Sequence, residues 1–128
     1  MDRNTLVDLI EGETAKLSPR GRELWEELEP LVELSSEEHN TLAEQLQRAD
    51  IDNRMDDLPQ PEQATLDRLI MLYEGLYKTD EAEKRGEKTG EGVRDRYVIW
   101  AAGLKDRSEG RQVDPDMTVE QAVARLRR

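Results

Sequence analysis

A chain of 128 residues is the size of one domain, and folding at this length buries about two-thirds of the surface that the unfolded chain exposes. Thirty acidic residues against 19 basic ones set a net charge of −11, and 38% charged against 35% hydrophobic residues, with no phenylalanine, leave a small core under a heavily charged surface. The lack of cysteine excludes a disulfide framework and thiolate metal sites, and the opening MDRNTLVDLI matches neither a signal peptide nor a membrane span, so a soluble cytoplasmic protein without a cofactor is expected.

The acidity belongs to one half. Residues 1–60 carry 16 acids against 6 bases, a net of −10, whereas residues 61–128 carry 14 against 13, a net of −1. An acidic half repels phosphate backbones, so any nucleic-acid contact is expected from the other half.

Leu6, Leu9, Ile10 and Leu17 make a broken apolar stripe that predicts a first helix, with Asn4 or Thr5 placed to cap it. Ser18 followed by Pro19 reads as a cap and a first helical residue, and Leu24, Leu28 and Leu31 follow at i, i+4 and i+7, with Trp25 and Val32 on the flank. Pro30 is expected to kink or divide this second helix near Glu29. Ser35 and Glu38 have the spacing of a capping box, which predicts a third helix over 36–49 through Leu42, Leu46 and Ala49. DIDNRMDDLPQP then reads as a loop.

Leu66, Leu69, Ile70, Tyr73, Leu76 and Tyr77 form the strongest helical pattern and predict the central helix. The polar stretch from Lys78 to Gly92, with three glycines in seven residues, predicts a frayed helix end and a flexible connection. Val93, Tyr97, Trp100 and Leu104 recur at i, i+4, i+7 and i+11 and predict a helix ending near Gly103, although YVIW also suits a strand. Thr118 caps a last helix with Val119, Ala122, Val123 and Leu126 on its face and Arg125, Arg127 and Arg128 toward its negative end. The expectation is one all-α domain of five to six helices: acidic helices over 1–58, a central apolar helix over 60–80, a polar connection over 81–92 and C-terminal helices over 93–128, the C-terminal part extended or flexible.

Familiar chemistry does not fit. Taking Asp50 as the first position of a calcium loop puts Met55 where glycine is needed and Pro61 where a bidentate glutamate is needed. GEKTGEG lacks the spacing and the final Lys-Ser or Lys-Thr of a phosphate loop. His39 is the only histidine and reads as a surface residue; the serines that could pair with it are Ser18, Ser35, Ser36 and Ser108, two of which are read as caps. A non-enzymatic protein is expected.

The segment from Leu17 to Leu58, with Gly21, Arg22, Trp25, Leu34, Ser35, Glu38, Leu42, Leu46, Asp52 and Leu58, resembles the amino-terminal segment of tailed-phage terminase small subunits. The resemblance implies a helical protein that forms a ring, recognises viral DNA and hands it to the packaging motor, in the host cytoplasm or virion. LIMLYEGLYKTDEA is similar to a helix of small head–tail connector proteins, which implies virion assembly with a portal partner. A competing reading is an acidic inhibitor whose carboxylates Glu23, Glu26, Glu27, Glu29, Glu33, Glu37 and Glu38 imitate nucleic-acid phosphates.

Because the core is thin, apolar stripes are expected to finish burying between copies. Trp25, Trp100, Leu66, Ile70, Tyr73 and Tyr77 are the candidates for self-association or partner contact, the two tryptophans being either core or interface. Arg111, Arg125, Arg127 and Arg128, helped by Arg94 and Arg96, are the candidates for weak DNA contact. No membrane contact is expected.

Overall fold

The apolar run from Leu66 to Tyr77 forms the middle of a 25-residue helix around which the others assemble. In the computed structural model, which describes residues 1–38, 40–88 and 90–128, the elements in chain order are α1 (Arg3–Thr14), α2 (Pro19–Glu38), α3 (Leu42–Ala49), α4 (Ile51–Asp56), α5 (Gln60–Lys84), α6 (Glu91–Ser108) and α7 (Val119–Leu126). The fold is all-α: among the described residues there is no strand, and YVIW lies within α6. Among the described residues no helix is long and apolar enough to cross a membrane.

Two apolar clusters flank α5. Leu66 and Leu69 pack with Leu17, Leu24, Trp25, Leu28, Ile51 and Leu58, while Leu72 joins Leu6, Leu9, Val98, Ala101, Ala102, Met117, Ala122 and Leu126. A helix caught between two such clusters must be apolar over most of its circumference, which is what the sequence of its middle provides.

α2 runs parallel to α5. The Ser18 amide donates to Oε1 of Glu62 at 2.5 Å, the Tyr73 hydroxyl to Glu33 and the Tyr77 hydroxyl to Glu37, a nearly constant offset of 40 to 44 residues. A Cβ on Gly21 would stand 2.6 Å from the same Glu62 oxygen. Glycine there lets the carboxylate reach the positive end of α2. α6 returns antiparallel to α5, with Arg94 against Glu83 and then the Tyr97 ring against Gly75.

At Gly75 a Cβ would lie 2.6 Å from Cγ of Tyr97, inside van der Waals contact. Gly75→Ala is therefore expected to lower stability by about 1–3 kcal/mol, the usual cost of overpacking, despite alanine's better helix propensity. A urea titration showing a more stable alanine variant would mean that α5 and α6 are not in such close contact.

Several local expectations change. Asp2, not Asn4 or Thr5, caps α1 by accepting from the Thr5 amide at 2.8 Å. α2 continues through Pro30 to Glu38, because Pro30 sits on the exposed face where water can solvate the carbonyl that loses its donor. Ser35 is therefore inside α2 rather than at a helix start, and its hydroxyl donates to the Val32 carbonyl. The capping box is formed by Thr41 and Glu44, and the third helix begins at Leu42. The loop after it contains α4, entered through Asp50 at φ 56°, a conformation aspartate tolerates better than most residues.

α5 persists to Lys84, well into the stretch read as a flexible connection, because Thr79 and Ala82 are buried there and Glu83 holds Arg94. Seven helices thus form among the described residues where five to six are expected. Residues 91–126 pack against α5 and α1 rather than running out as an extended tail, since Ala101, Ala102 and Ala122 allow close approach. The Thr118 cap is present and is completed by Gln121.

Candidate functional site

On α6 the apolar sequence stripe is not the buried face. Arg94, Val98, Ala101, Ala102, Lys105 and Asp106 face inward, while Val93, Tyr97 and Leu104 are half-buried and Trp100 is 50% exposed. Gly75 leaves room for the Tyr97 ring to lie directly on α5, while the small residues Ala101 and Ala102 fill the buried face and Trp100, next to Tyr97, is left at the flank. Tyr97 and Trp100 stack edge to face there, with ring centroids 5.1 Å apart, and the Lys78 ammonium lies 5.9 Å from the Tyr97 ring centre. Arg96 and Arg107 are exposed on the Trp100 side of α6, and neither forms an ion pair with a described residue.

The outward face of α2 has the opposite charge. Glu23, Glu26, Glu27, Pro30, Leu34 and Glu37 are exposed, with Glu33 at the edge, and Leu34 is 40% exposed. Trp100 and Leu34 are the exposed large hydrophobic residues among those described. Burial and the neighbouring Glu33 carboxylate push the Glu29 carboxyl above the usual range. The Tyr77 hydroxyl, bonded to Glu37, is pushed up to about 12.

A raised carboxyl pKa means that the folded state holds the proton more tightly. The stability it contributes is present below the ordinary carboxylate range and is lost as pH rises through the raised value. Glu29→Gln is accordingly expected to gain about 0.2–0.5 kcal/mol at neutral pH by removing an i,i+4 repulsion, a gain that shrinks as the pH approaches about 4. Urea titrations of both proteins at several pH values check this.

The other sequence candidates divide cleanly. Trp25 is 3% exposed and meets Tyr73 edge to face at 5.6 Å; Leu66 is fully buried; Ile70, Tyr73 and Tyr77 are half-buried along α5. Arg94 is not available to a duplex, being buried against Glu83 at 2.6 Å. Arg125 is turned inward to Asp106 at 3.5 Å and Arg111 pairs with Glu109 at 3.3 Å, which leaves Arg127 and Arg128 as exposed terminal arginines. His39 lies outside the described residues.

Sequence reading missed a polar junction of four helices. Glu13, 1% exposed, accepts from Nε of Arg68 at 3.0 Å and from Lys16 at 3.0 Å, and Arg68 also donates to the Thr65 hydroxyl. Lys16 reaches the Leu126 carbonyl, and Lys105 donates to the carbonyls of Arg125 at 2.6 Å and Arg128 at 3.1 Å. Two lysines thus neutralise the negative end of α7, the task expected of the terminal arginines. Burial, with Lys16 nearby, pushes the Lys105 ammonium below its ordinary value. The available signal is a charge set on an apolar stripe: Glu13 stands among Leu6, Leu9 and Leu17, and Arg68 between Leu66 and Leu69.

A cleft of about 570 Å³ opens beside this junction, lined in part by Lys16, Glu62, Arg68, Lys105, Glu109 and Arg128. Its inner cations are already engaged as just described. Among the described residues no group of three His, Cys, Asp or Glu side chains is placed to hold a metal ion. Comparison with known proteins finds no matching family model, no matching curated protein and no matching solved structure.

Proposed function

We propose that this chain is a non-enzymatic helical protein that works in several copies, as the small DNA-packaging subunit of tailed-virus assembly. The observation that carries the multi-copy part is the aromatic stripe of α6: a helix that buries Ala101 and Ala102 and leaves Trp100 half exposed presents a surface suited to another protein. The packaging role draws on the sequence resemblance over residues 17–58. DNA contact is assigned to Arg127 and Arg128 with Arg111, multiplied by the number of copies.

A second reading is favoured by the α2 face, where Glu23, Glu26, Glu27, Glu33 and Glu37 share one side of a rigid helix in the manner of a phosphate mimic. Sedimentation at micromolar concentration, followed by duplex binding at about 50 mM salt, separates the possibilities. An oligomer that binds DNA, and loses it in the Arg127→Ala, Arg128→Ala double variant, supports the packaging role. An oligomer without DNA affinity supports a connector role instead. A monomer that displaces DNA from a DNA-binding enzyme supports the mimic and overturns the proposal.

A further inference from the structure

We infer that the Trp100 face of α6 docks on the acidic face of α2 of a second copy of this chain, with the two helices antiparallel. The inference rests on the multi-copy reading above and adds the surfaces and their register.

Charge complementarity identifies the occupant. Trp100 is rimmed by Arg96 and Arg107, with Lys78 over the neighbouring Tyr97 ring, whereas Leu34 is set among Glu23, Glu26, Glu33 and Glu37. Each face thus holds one large exposed apolar side chain inside a rim of predominantly one sign, and the predominant signs are opposite. Lys78 shares its charge with Glu74 at 2.7 Å, so Arg96 and Arg107 supply most of the unpaired positive charge. Glu27 is likewise occupied by Arg54 at 2.8 Å, which leaves Glu26 and Glu37 to answer them.

The spacing along the helices agrees. Arg96 and Arg107 are eleven residues apart, as are Glu26 and Glu37, and both intervals correspond to about 16 Å of helix. Laid antiparallel with Arg96 at Glu37 and Arg107 at Glu26, Trp100 comes four residues from one end of the register and Leu34 three, so the two apolar groups meet. All six side chains fall within one sector of their helices at 100° per residue, as a single line of contact requires. Pro30 on the α2 face places no side-chain charge opposite Leu104.

Within one molecule α2 and α6 both pack on α5, so each copy carries both faces at once. The contact pairs unlike faces, so it closes as a two-fold dimer where both copies make it reciprocally and propagates from copy to copy where they do not. Rim charges give specificity and salt dependence, and the Trp100–Leu34 centre excludes water.

The experiment is a charge swap read by sedimentation velocity at about 150 mM salt. Arg96→Glu with Arg107→Glu makes both faces acidic; Glu26→Arg with Glu37→Arg makes both basic. Each double variant is expected to weaken self-association by about tenfold or more while keeping the wild-type circular dichroism, because like charges then face each other. Mixing the two is expected to restore assembly, since every α6 then finds a complementary α2. Trp100→Ala is expected to weaken association without changing salt dependence. If the wild type associates and either double variant associates equally well, or if mixing restores nothing, this surface is wrong while the multi-copy reading stands. A wild type that remains a 14.8 kDa monomer overturns both.

Discussion

Trp25→Ala is expected to lower the free energy of unfolding by about 3–5 kcal/mol, the range for removing a large aromatic side chain from a packed interior. The indole is 3% exposed, packs with Leu24, Leu28 and Leu66, and meets the Tyr73 ring nearly perpendicularly at 5.6 Å. An alanine leaves a cavity between α2 and α5 that two parallel helices tied at both ends cannot close. The matching control is Trp100→Ala, whose exposed ring should change stability by no more than about 0.5 kcal/mol. Denaturant titration of the two variants measures the contrast directly. Equal effects would mean that the tryptophans are not divided between interior and surface as described.

Glu13→Gln is the second large effect, about 3–5 kcal/mol, because it keeps the volume of the side chain and removes the charge that answers buried Arg68 and half-exposed Lys16. Arg68→Met alone should also be strongly destabilising, because it leaves the buried carboxylate of Glu13 with Lys16 as its remaining cation. The double variant Glu13→Leu, Arg68→Met is expected to recover most of the loss, since a well-packed apolar pair has no desolvation cost to offset. Its unfolding midpoint should lie well above that of either single variant. Simple addition of the two losses would show that the pair is not a coupled unit.

These two sites also mark where the sequence was readable. Periodicity places Trp25 on the flank of the face made by Leu24, Leu28 and Leu31 and leaves it open between interior and interface; the packing of α2 on α5 is what buries it. That helix, with Leu66, Leu69 and Tyr73, carries the strongest pattern in the chain. Caps were legible where a side chain and its amide lie three residues apart in one segment, as at Thr118. They were misread at Ser35, because whether a serine begins a helix or sits inside one depends on whether the preceding helix survives its proline. Pro30 is tolerated for a tertiary reason: it faces water.

The division between α6 faces was not legible for a related reason. Val93, Tyr97, Trp100 and Leu104 have the better apolar period, and a hydrophobicity count assigns them to the interior. The packing of α6 on α5 decides otherwise: the Tyr97 ring lies over Gly75 at the edge of the contact, the buried face is filled by Val98, Ala101 and Ala102, and Trp100 is left half exposed. Sequence by itself determined the all-α class, the central place of the Leu66 to Tyr77 helix, the acidic first half and the burial of Leu24 and Leu28. These are local or summed properties, set by side-chain period and charge. Only the tertiary structure decided which helix face is exposed, which arginines remain free of carboxylates and that Glu13, Lys16, Arg68 and Lys105 converge. Each of these depends on distances between residues far apart in the chain, which no local period encodes.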